Sequence, residues 1–299
     1  MPREFKGVTQ AAPVLTLSPP TRALLSRYAL APRVLNAFSG ERLTREAGGS
    51  LEFFDVRPYG AGDELRYVDW KAYARTGKLV TRLFQAERTS ALHVLLDSSP
   101  SMAVGGKLAA AQRVAAMLTY TAQGMRTQVH RFGGATSLRG GQRRQLPELW
   151  RFIGETPEGA AVSPVAALQS FAASTSYAAG MVVVVSDLFD EAALRPALVA
   201  LRARRLDVCF VQLMSVADLE PEGGRLELRD SETGETLEVG PDEVRLYREA
   251  VRAFLGRTRA AVLQAGFRYQ LARVEETPLE AQEAQLIAGL YKAGILVRR

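Results

Sequence analysis

The chain has 299 residues, of which 47% are hydrophobic and 23% charged, and its formal net charge is +6 at pH 7. This composition is typical of a soluble globular protein, and a chain of this length can bury a sizeable core. The basic residues are scattered among acids rather than gathered into one stripe, so we do not expect a nucleic-acid partner.

Cysteine content and hydropathy point to a location. The single cysteine, Cys209, lies in the apolar run 206–213, which predicts a buried thiol and leaves no intramolecular disulfide. Residues 1–6 lack the apolar core of a signal peptide, and no run approaches the roughly 20 apolar residues that cross a bilayer. We therefore expect a cytoplasmic protein with no membrane span.

The first 44 residues are predicted to be a lead with one short helix. Residues 1–18 contain several prolines and show little hydrophobic periodicity, which is typical of an irregular segment. Residues 21–30 place apolar side chains on one side of a helix, and Pro32 lies just beyond its expected end.

Residues 45–90 are predicted to form a small β-containing segment packed on the main domain. Alternating apolar residues predict strands near 51–56 and 79–85, and Trp70 between them is expected to be a core residue. Acids and bases are balanced there, which favours ion pairs, within the segment or against the sheet, or a partner surface over a phosphate-binding surface. The residues expected to form these pairs are Asp63, Arg66, Asp69 and Arg75.

Residues 91–299 are predicted to form one α/β domain. Apolar strands alternate with amphipathic helices, which is typical of a mainly parallel sheet covered by helices on both faces. A β-hairpin insertion is expected at 224–240, around the turn Thr233-Gly234. The predicted strands are 91–96, 127–132, 181–185, 206–213 and 267–271. The predicted helices are 107–121, 147–153, 165–173, 188–204, 243–264 and 279–291.

The first predicted strand of this domain ends in a cluster of oxygen-bearing side chains. Asp97 follows the apolar run directly, and Ser99 and Ser101 come next at alternate positions. Ligands of open α/β sheets bind at the carboxyl ends of the strands. A carboxylate and two hydroxyls there are suited to a hard cation such as Mg²⁺. The Asp-x-Ser-x-Ser pattern resembles the metal-ion-dependent adhesion site of von Willebrand factor A domains.

A second strand, 181–185, is followed by Ser186 and then by Asp187. Parallel strands end at the same edge of a sheet, so Asp187 is expected to approach Asp97. A divalent cation would relieve the repulsion between the two carboxylates. The alternative is that Asp187 and Asp190 only cap the helix that follows.

Residues 57–87 carry a long ordered motif. It contains Arg-Pro-Tyr, Gly-Asp, Arg, Asp-Trp, Ala-Arg-Thr-Gly-Lys and a final Glu, from Arg57 to Glu87. This set resembles the signature of the bacterial family called domain of unknown function fifty-eight, and the similarity extends over most of the chain. The resemblance implies a von Willebrand factor A-like domain. It also implies an adaptor or chaperone role beside a MoxR-type AAA+ ATPase.

One position departs from the metal site that the resemblance implies. Related domains supply a threonine ligand from a later loop, and Val162 falls where that threonine is expected. Valine cannot bind a cation, so Ser163 after a one-residue shift, or water, would have to take its place.

Three functions are compatible with these residues. The leading hypothesis is a non-catalytic protein-binding module, in which Ser99 and Ser101 hold Mg²⁺ directly and Asp97 and Asp187 hold it through water. The partner would be a MoxR-type AAA+ ATPase or its client. A metal-dependent hydrolase is the second hypothesis, but His93 and His130 both fall within predicted strands, where an accessible general base is not expected. The third is a scaffold whose metal site is degenerate.

Overall fold

The structure is a computed structural model, and it describes residues 15–32, 51–60, 63, 65–86, 91–132, 137–140, 142–155, 164–173, 180–189, 191–204, 206–221, 226–229, 236–275 and 277–299. The chain divides into two compact units. One comprises Met1–Leu35 with Ser90–Arg299, and the other comprises Asn36–Thr89. We call them the main unit and the signature unit.

Strands of the described residues are numbered in chain order. They are β1 (Tyr28–Leu30), β2 (Leu51–Pro58), β3 (Val80–Ala86), β4 (Ala91–Leu96), β5 (Arg126–Arg131), β6 (Ser137–Gly140), β7 (Gly180–Ser186), β8 (Asp207–Ser215), β9 (Leu226–Arg229), β10 (Thr236–Val239), β11 (Arg268–Val274) and β12 (Leu296–Arg298).

The α-helices of the described residues are numbered in the same way. They are α1 (Pro19–Leu25), α2 (Trp70–Thr76), α3 (Lys107–Thr121), α4 (Leu146–Gly154), α5 (Pro164–Ala173), α6 (Glu191–Ala203), α7 (Val216–Leu219), α8 (Pro241–Gln264) and α9 (Leu279–Lys292). None of these helices combines the length and the apolar character needed to cross a membrane.

A six-stranded sheet forms the centre of the main unit, in the order β11-β8-β7-β4-β5-β6. Neighbouring strands are parallel except at one edge, where β6 runs antiparallel to β5. The predicted α/β class and mainly parallel sheet are confirmed. Because β4, β7 and β8 are adjacent and parallel, the loops after their carboxyl ends lie side by side.

Helices cover both faces of this sheet, and each face has its own apolar core. Side chains alternate along β4 and β7, since successive residues of a strand point to opposite faces. On one face Val94 and Val183 join a cluster that includes residues of α3, α4 and α9. On the other, Val182 and Val184 join residues of α5, α6 and α8. The strands are therefore buried on both faces, as a parallel sheet requires.

The predicted helix at 21–30 is wrong in its second half. Ser18 accepts a hydrogen bond from the Thr21 main chain and caps α1, with prolines in the first turn, but the helix ends at Leu25. Residues 28–30 instead form β1, which pairs antiparallel with β12 near the other end of the chain. Hydrogen bonding to a distant strand outweighs the local helical pattern there. The predicted hairpin is confirmed as β9 paired antiparallel with β10.

The signature unit contains an antiparallel pair, β2 with β3, and the helix α2. The expectation that Trp70 is a core residue is wrong, because its side chain is 55% exposed. The expected ion pairing of the two acids is confirmed, with partners that the sequence analysis did not include, and the Arg66 side chain lies outside the described residues. Asp63 pairs with Arg57 at 2.5 Å, and Asp69 pairs with Arg82 at 3.0 Å.

Candidate functional site

The candidate site is the edge of the main sheet where β4, β7 and β8 end, which we call the rim. Asp97 directly follows β4, and Asp187 directly follows β7. The main-chain N–H of Asp97 donates to the carbonyl of Val185 at 2.9 Å, so the two strand ends are joined up to their last residues. The structure therefore brings the two predicted acids to the same edge.

Asp97 is fully buried and is held by hydrogen bonds. One carboxylate oxygen accepts from the Ser99 main-chain N–H at 2.8 Å, and the other accepts from the Ser186 hydroxyl at 2.5 Å. Burial raises the pKa of Asp97 above its usual range, the nearby charge of Asp187 adds to the rise, and the hydrogen bonds from Ser186 and Ser99 oppose it. Hydrogen bonds thus fix the orientation of the Asp97 carboxylate, and no cationic side chain is among the groups that shift its pKa.

The two serine hydroxyls also lie together. The Oγ atoms of Ser99 and Ser101 are 3.0 Å apart, at the start of the 3₁₀ turn that leads into α3. Ser99 is buried and Ser101 is partly exposed. The sequence-based grouping of Asp97, Ser99 and Ser101 is reproduced in the structure.

Asp187 has a partner that the sequence analysis did not include. The Lys107 ammonium lies 3.0 Å from Oδ2 of Asp187 and 3.0 Å from Oδ2 of Asp218. Its side chain is 1% exposed, and its Nζ atom is 4.9 Å from the centre of the Phe189 ring, within cation–π range. A positive charge of the chain itself therefore neutralises Asp187.

Lys107 and Asp218 each leave a signal in the sequence that could have been used. Lys107 lies four residues before Ala111, and eleven before Leu118, on the face of α3 that is buried against the sheet. A lysine on such a face needs a buried acid. Asp218 is the last residue of a Ser-x-x-Asp motif that starts at Ser215, the last residue of β8. Its carboxylate accepts from the N–H of Ser215, the pattern of a capping box.

Two backbone features fix the loops of the rim. Leu188 has φ of 58° although it carries a Cβ, a strained conformation that tends to occur at functional sites. Gly105 has φ of +61°, and a Cβ at this position would overlap the Ser215 side chain. The turn after β4 thus approaches the end of β8 as closely as a glycine allows.

Apolar side chains project from the same loops. Val104 follows β4, Phe189 follows β7 and Val216 follows β8, and they are 44%, 41% and 39% exposed. The Phe189 ring stacks on Phe254 of α8 at 5.4 Å between centroids. We call Val104, Phe189 and Val216 the apolar rim surface. Beneath Phe189 lies the Lys107 ammonium of the buried ionic cluster.

A divalent cation fits one part of this rim better than the other. Asp97, Ser99 and Ser101 supply hard oxygen donors at short mutual distance, and Asp97 is not ion-paired within the described residues. Asp187 is already bonded to Lys107. Within the described residues no group of three or more His, Cys, Asp and Glu is arranged to hold a metal ion. Val162 and Ser163 lie outside the described residues.

The two histidines lie within strands, as predicted. His93 in β4 is buried, and its ring is 5.8 Å from that of His130 in β5 and 5.4 Å from that of Phe171. His93 thus belongs to an interior ring cluster, away from the strand ends that form the rim.

The fold and the rim define an α/β protein with a polar cluster at the carboxyl edge of a mainly parallel sheet. The chain belongs to the family described as "Protein of unknown function DUF58", whose model matches residues 55–260. The resemblance carried by the motif from Arg57 to Glu87 is confirmed at the level of the family.

No curated protein matches the chain. Among solved structures, the conserved hypothetical protein BatB from Bacteroides thetaiotaomicron is 16% identical, covers 68% of this chain and 99% of its own, and has a TM-score of 0.36. The human COPII-coat protein Sec24c is 8% identical, with coverage of 42% of this chain and 26% of its own, and a TM-score of 0.29. At these scores neither structure supports an argument about function.

Proposed function

We propose that this protein is a non-catalytic protein-binding module that binds its partner through the apolar rim surface. The observation that carries the proposal is the exposure of Val104, Phe189 and Val216 on the segments that follow three adjacent parallel strands, with Phe189 packed on the buried Lys107. Clustered exposed apolar side chains on a polar-rimmed surface mark protein interaction sites. A rigid aromatic anchor such as Phe189 is typical of the residues that dominate binding energy.

The proposed partner is a MoxR-type AAA+ ATPase or its client protein. This part rests on the family resemblance, since members of the family are commonly encoded beside such ATPases. An adaptor needs a surface with fixed geometry rather than a reactive group. The hydrogen bonds that hold Asp97 and the ion pairs of Lys107 provide that fixed geometry.

Magnesium at the rim is a further element of the proposal. Asp97, Ser99 and Ser101 would hold it, and when bound it would supply a positive charge that attracts a carboxylate of the partner. Asp187, which is paired with Lys107, would help to fix the loop after β7 and would not bind the cation itself.

The test measures binding of the purified chain to the MoxR-type ATPase of the same organism by calorimetry. Phe189→Ser and Val216→Ser are expected to weaken binding by about tenfold or more, because each removes an apolar contact from the interface. The control is Leu263→Ser, an exposed residue near the end of α8, just before β11 starts at the opposite edge of the sheet. Equal affinity of all four proteins would overturn the proposal.

Two further measurements separate the elements of the proposal. If a cation takes part, EDTA and Asp97→Asn weaken partner binding alike; if it does not, EDTA has no effect while the Phe189→Ser loss remains. The non-catalytic assignment predicts no sustained ATP turnover by the purified chain. Turnover that survives removal of contaminating ATPases would contradict it.

A further inference from the structure

We propose that Lys107 is a built-in competitor of the divalent cation at the rim. Its ammonium holds Asp187 and Asp218, so that a cation binds through Asp97, Ser99 and Ser101 alone. This inference builds on the proposed function because it concerns the same rim. It is tested on the chain without a partner, so its failure is separate from a failure of partner binding.

The Lys107 ammonium contacts two carboxylates and one aromatic ring. An ammonium has three N–H donors and no acceptor. Two of its contacts are carboxylate oxygens at 3.0 Å, from Asp187 and Asp218, and the Phe189 ring lies over it at 4.9 Å. With 1% of its side chain exposed, Lys107 cannot exchange these partners for water. Asp187 therefore has a permanent counter-charge.

Hydrogen bonds other than those of Lys107 hold the Asp187 main chain and the Asp218 side chain. The Asp187 main-chain carbonyl accepts from the Gln212 side chain at 2.7 Å, and Oδ2 of Asp218 accepts from the Ser215 hydroxyl at 2.8 Å. Removal of the ammonium would leave the carboxylates of Asp187 and Asp218 without the positive charge that they share. Unpaired buried carboxylates need a new cation.

The charges at the rim give the sign of the effect. Asp97, Asp187 and Asp218 carry three negative charges when ionised, and Lys107 supplies one positive charge. The net charge of these four side chains is therefore −2. Neutralising Lys107 changes it to −3 and frees two more oxygen ligands. Both changes favour a divalent cation, since Mg²⁺ binds through carboxylate oxygens and retains several waters.

The experiment titrates Mg²⁺ into the wild-type chain and two variants, Lys107→Met and Lys107→Gln, by calorimetry, with thermal unfolding in parallel. Both variants are expected to bind Mg²⁺ at least tenfold more tightly than the wild type, and Mg²⁺ raises their melting temperature more. Lys107→Gln retains hydrogen-bond donors, so its Mg²⁺ affinity can be measured even if Lys107→Met folds poorly.

Two controls isolate the role of the pair. Lys107→Met/Asp187→Asn restores the wild-type balance of −2 and is expected to lose the gain. Arg113→Met removes another cation from α3, one paired with the buried Glu283 at 3.1 Å, and is expected to leave Mg²⁺ binding unchanged.

Three results would overturn the inference. The first is that folded Lys107→Met and Lys107→Gln bind Mg²⁺ no more tightly than the wild type. The second is that the gain persists in full in the double variant. The third is that neither single variant folds even in saturating Mg²⁺, because the cation then cannot take the place of the ammonium.

Discussion

Nη2 of Arg268 lies 2.5 Å from Oδ2 of Asp207, and both side chains are almost fully buried. The pair joins β11 to the neighbouring strand β8. The same guanidinium donates to the main-chain carbonyls of Ala31 and Gly294, next to the paired strands β1 and β12. One side chain therefore connects the central sheet with segments from both ends of the chain.

We predict that Arg268→Met lowers the free energy of unfolding by about 3–5 kcal/mol. The substitution takes the guanidinium away from the buried Asp207 carboxylate, and the loss of one member of a buried ion pair is costly. It also removes the donor to the carbonyls of Ala31 and Gly294. Urea unfolding followed by circular dichroism measures the loss.

Arg273→Met is the matched control on the same strand. Arg273 pairs with Glu220 at 3.1 Å, and both side chains are about half exposed, so the expected loss is under about 1 kcal/mol. Equal losses in the two variants would show that the buried pair has no special role.

Gly105 is expected to tolerate alanine worse than another glycine of similar conformation. Gly105 and Gly294 have φ of +61° and +67°, so alanine at either is strained by about 1–2 kcal/mol. A Cβ on Gly294 meets nothing within 4 Å, whereas one on Gly105 overlaps Ser215. We therefore predict that Gly105→Ala is less stable than Gly294→Ala by at least about 1 kcal/mol. Comparable melting temperatures would contradict the close approach of the rim loops.

Periodicity in the sequence predicts the elements that are stabilised locally. The apolar run 181–185 predicts only a buried strand, and the apolar stripe of α8 predicts only a helix. The burial observed in β7 and α8 agrees with these predictions. The local pattern of residues 28–30 does not predict their structure, because β1 forms by pairing with β12, almost the whole chain away. The prediction for Trp70 was wrong for a related reason. A large aromatic residue is usually buried, but the structure shows that α2 has no buried residue.

The candidate site shows the same division. Asp97, Ser99 and Ser101 are close in sequence, so their grouping needed only the strand that precedes them. Asp187 was placed correctly at the rim by the rule that parallel strands end together. Its pairing with Lys107 depends on side-chain direction across 80 residues, which spacing does not encode.

In the signature unit we predict an acid-sensitive contribution from Asp69. The hydrogen bond from Arg82, together with the main-chain N–H of Ala72, lowers the pKa of Asp69 from 3.8 to about 2. A lowered folded-state pKa stabilises the fold above about pH 4, and this stabilisation is lost as the pH falls towards about 2. Urea unfolding of wild type and Asp69→Asn is expected to differ near neutral pH and to converge in acid.

Glu249→Gln serves as the control for that titration. Glu249 forms an exposed pair with Arg245 at 3.3 Å on α8, so its removal is expected to change stability little at any pH. A difference between wild type and Asp69→Asn that stays constant down to about pH 2 would mean that the Arg82 contact does not act through the charge of Asp69.

The last prediction concerns Val162, where the resemblance to metal-ion-dependent adhesion sites leads us to expect threonine. For the proposed magnesium site, Val162→Thr is expected to strengthen Mg²⁺ binding to the purified chain, because threonine offers a hydroxyl ligand without changing any charge. Calorimetric titration of wild type and Val162→Thr measures the change. The same substitution in an Asp97→Asn background is expected to give no gain, since the carboxylate that anchors the cation is then missing. An unchanged affinity for Val162→Thr, or an equal gain in the Asp97→Asn background, would show that this loop does not face the cation held at the rim.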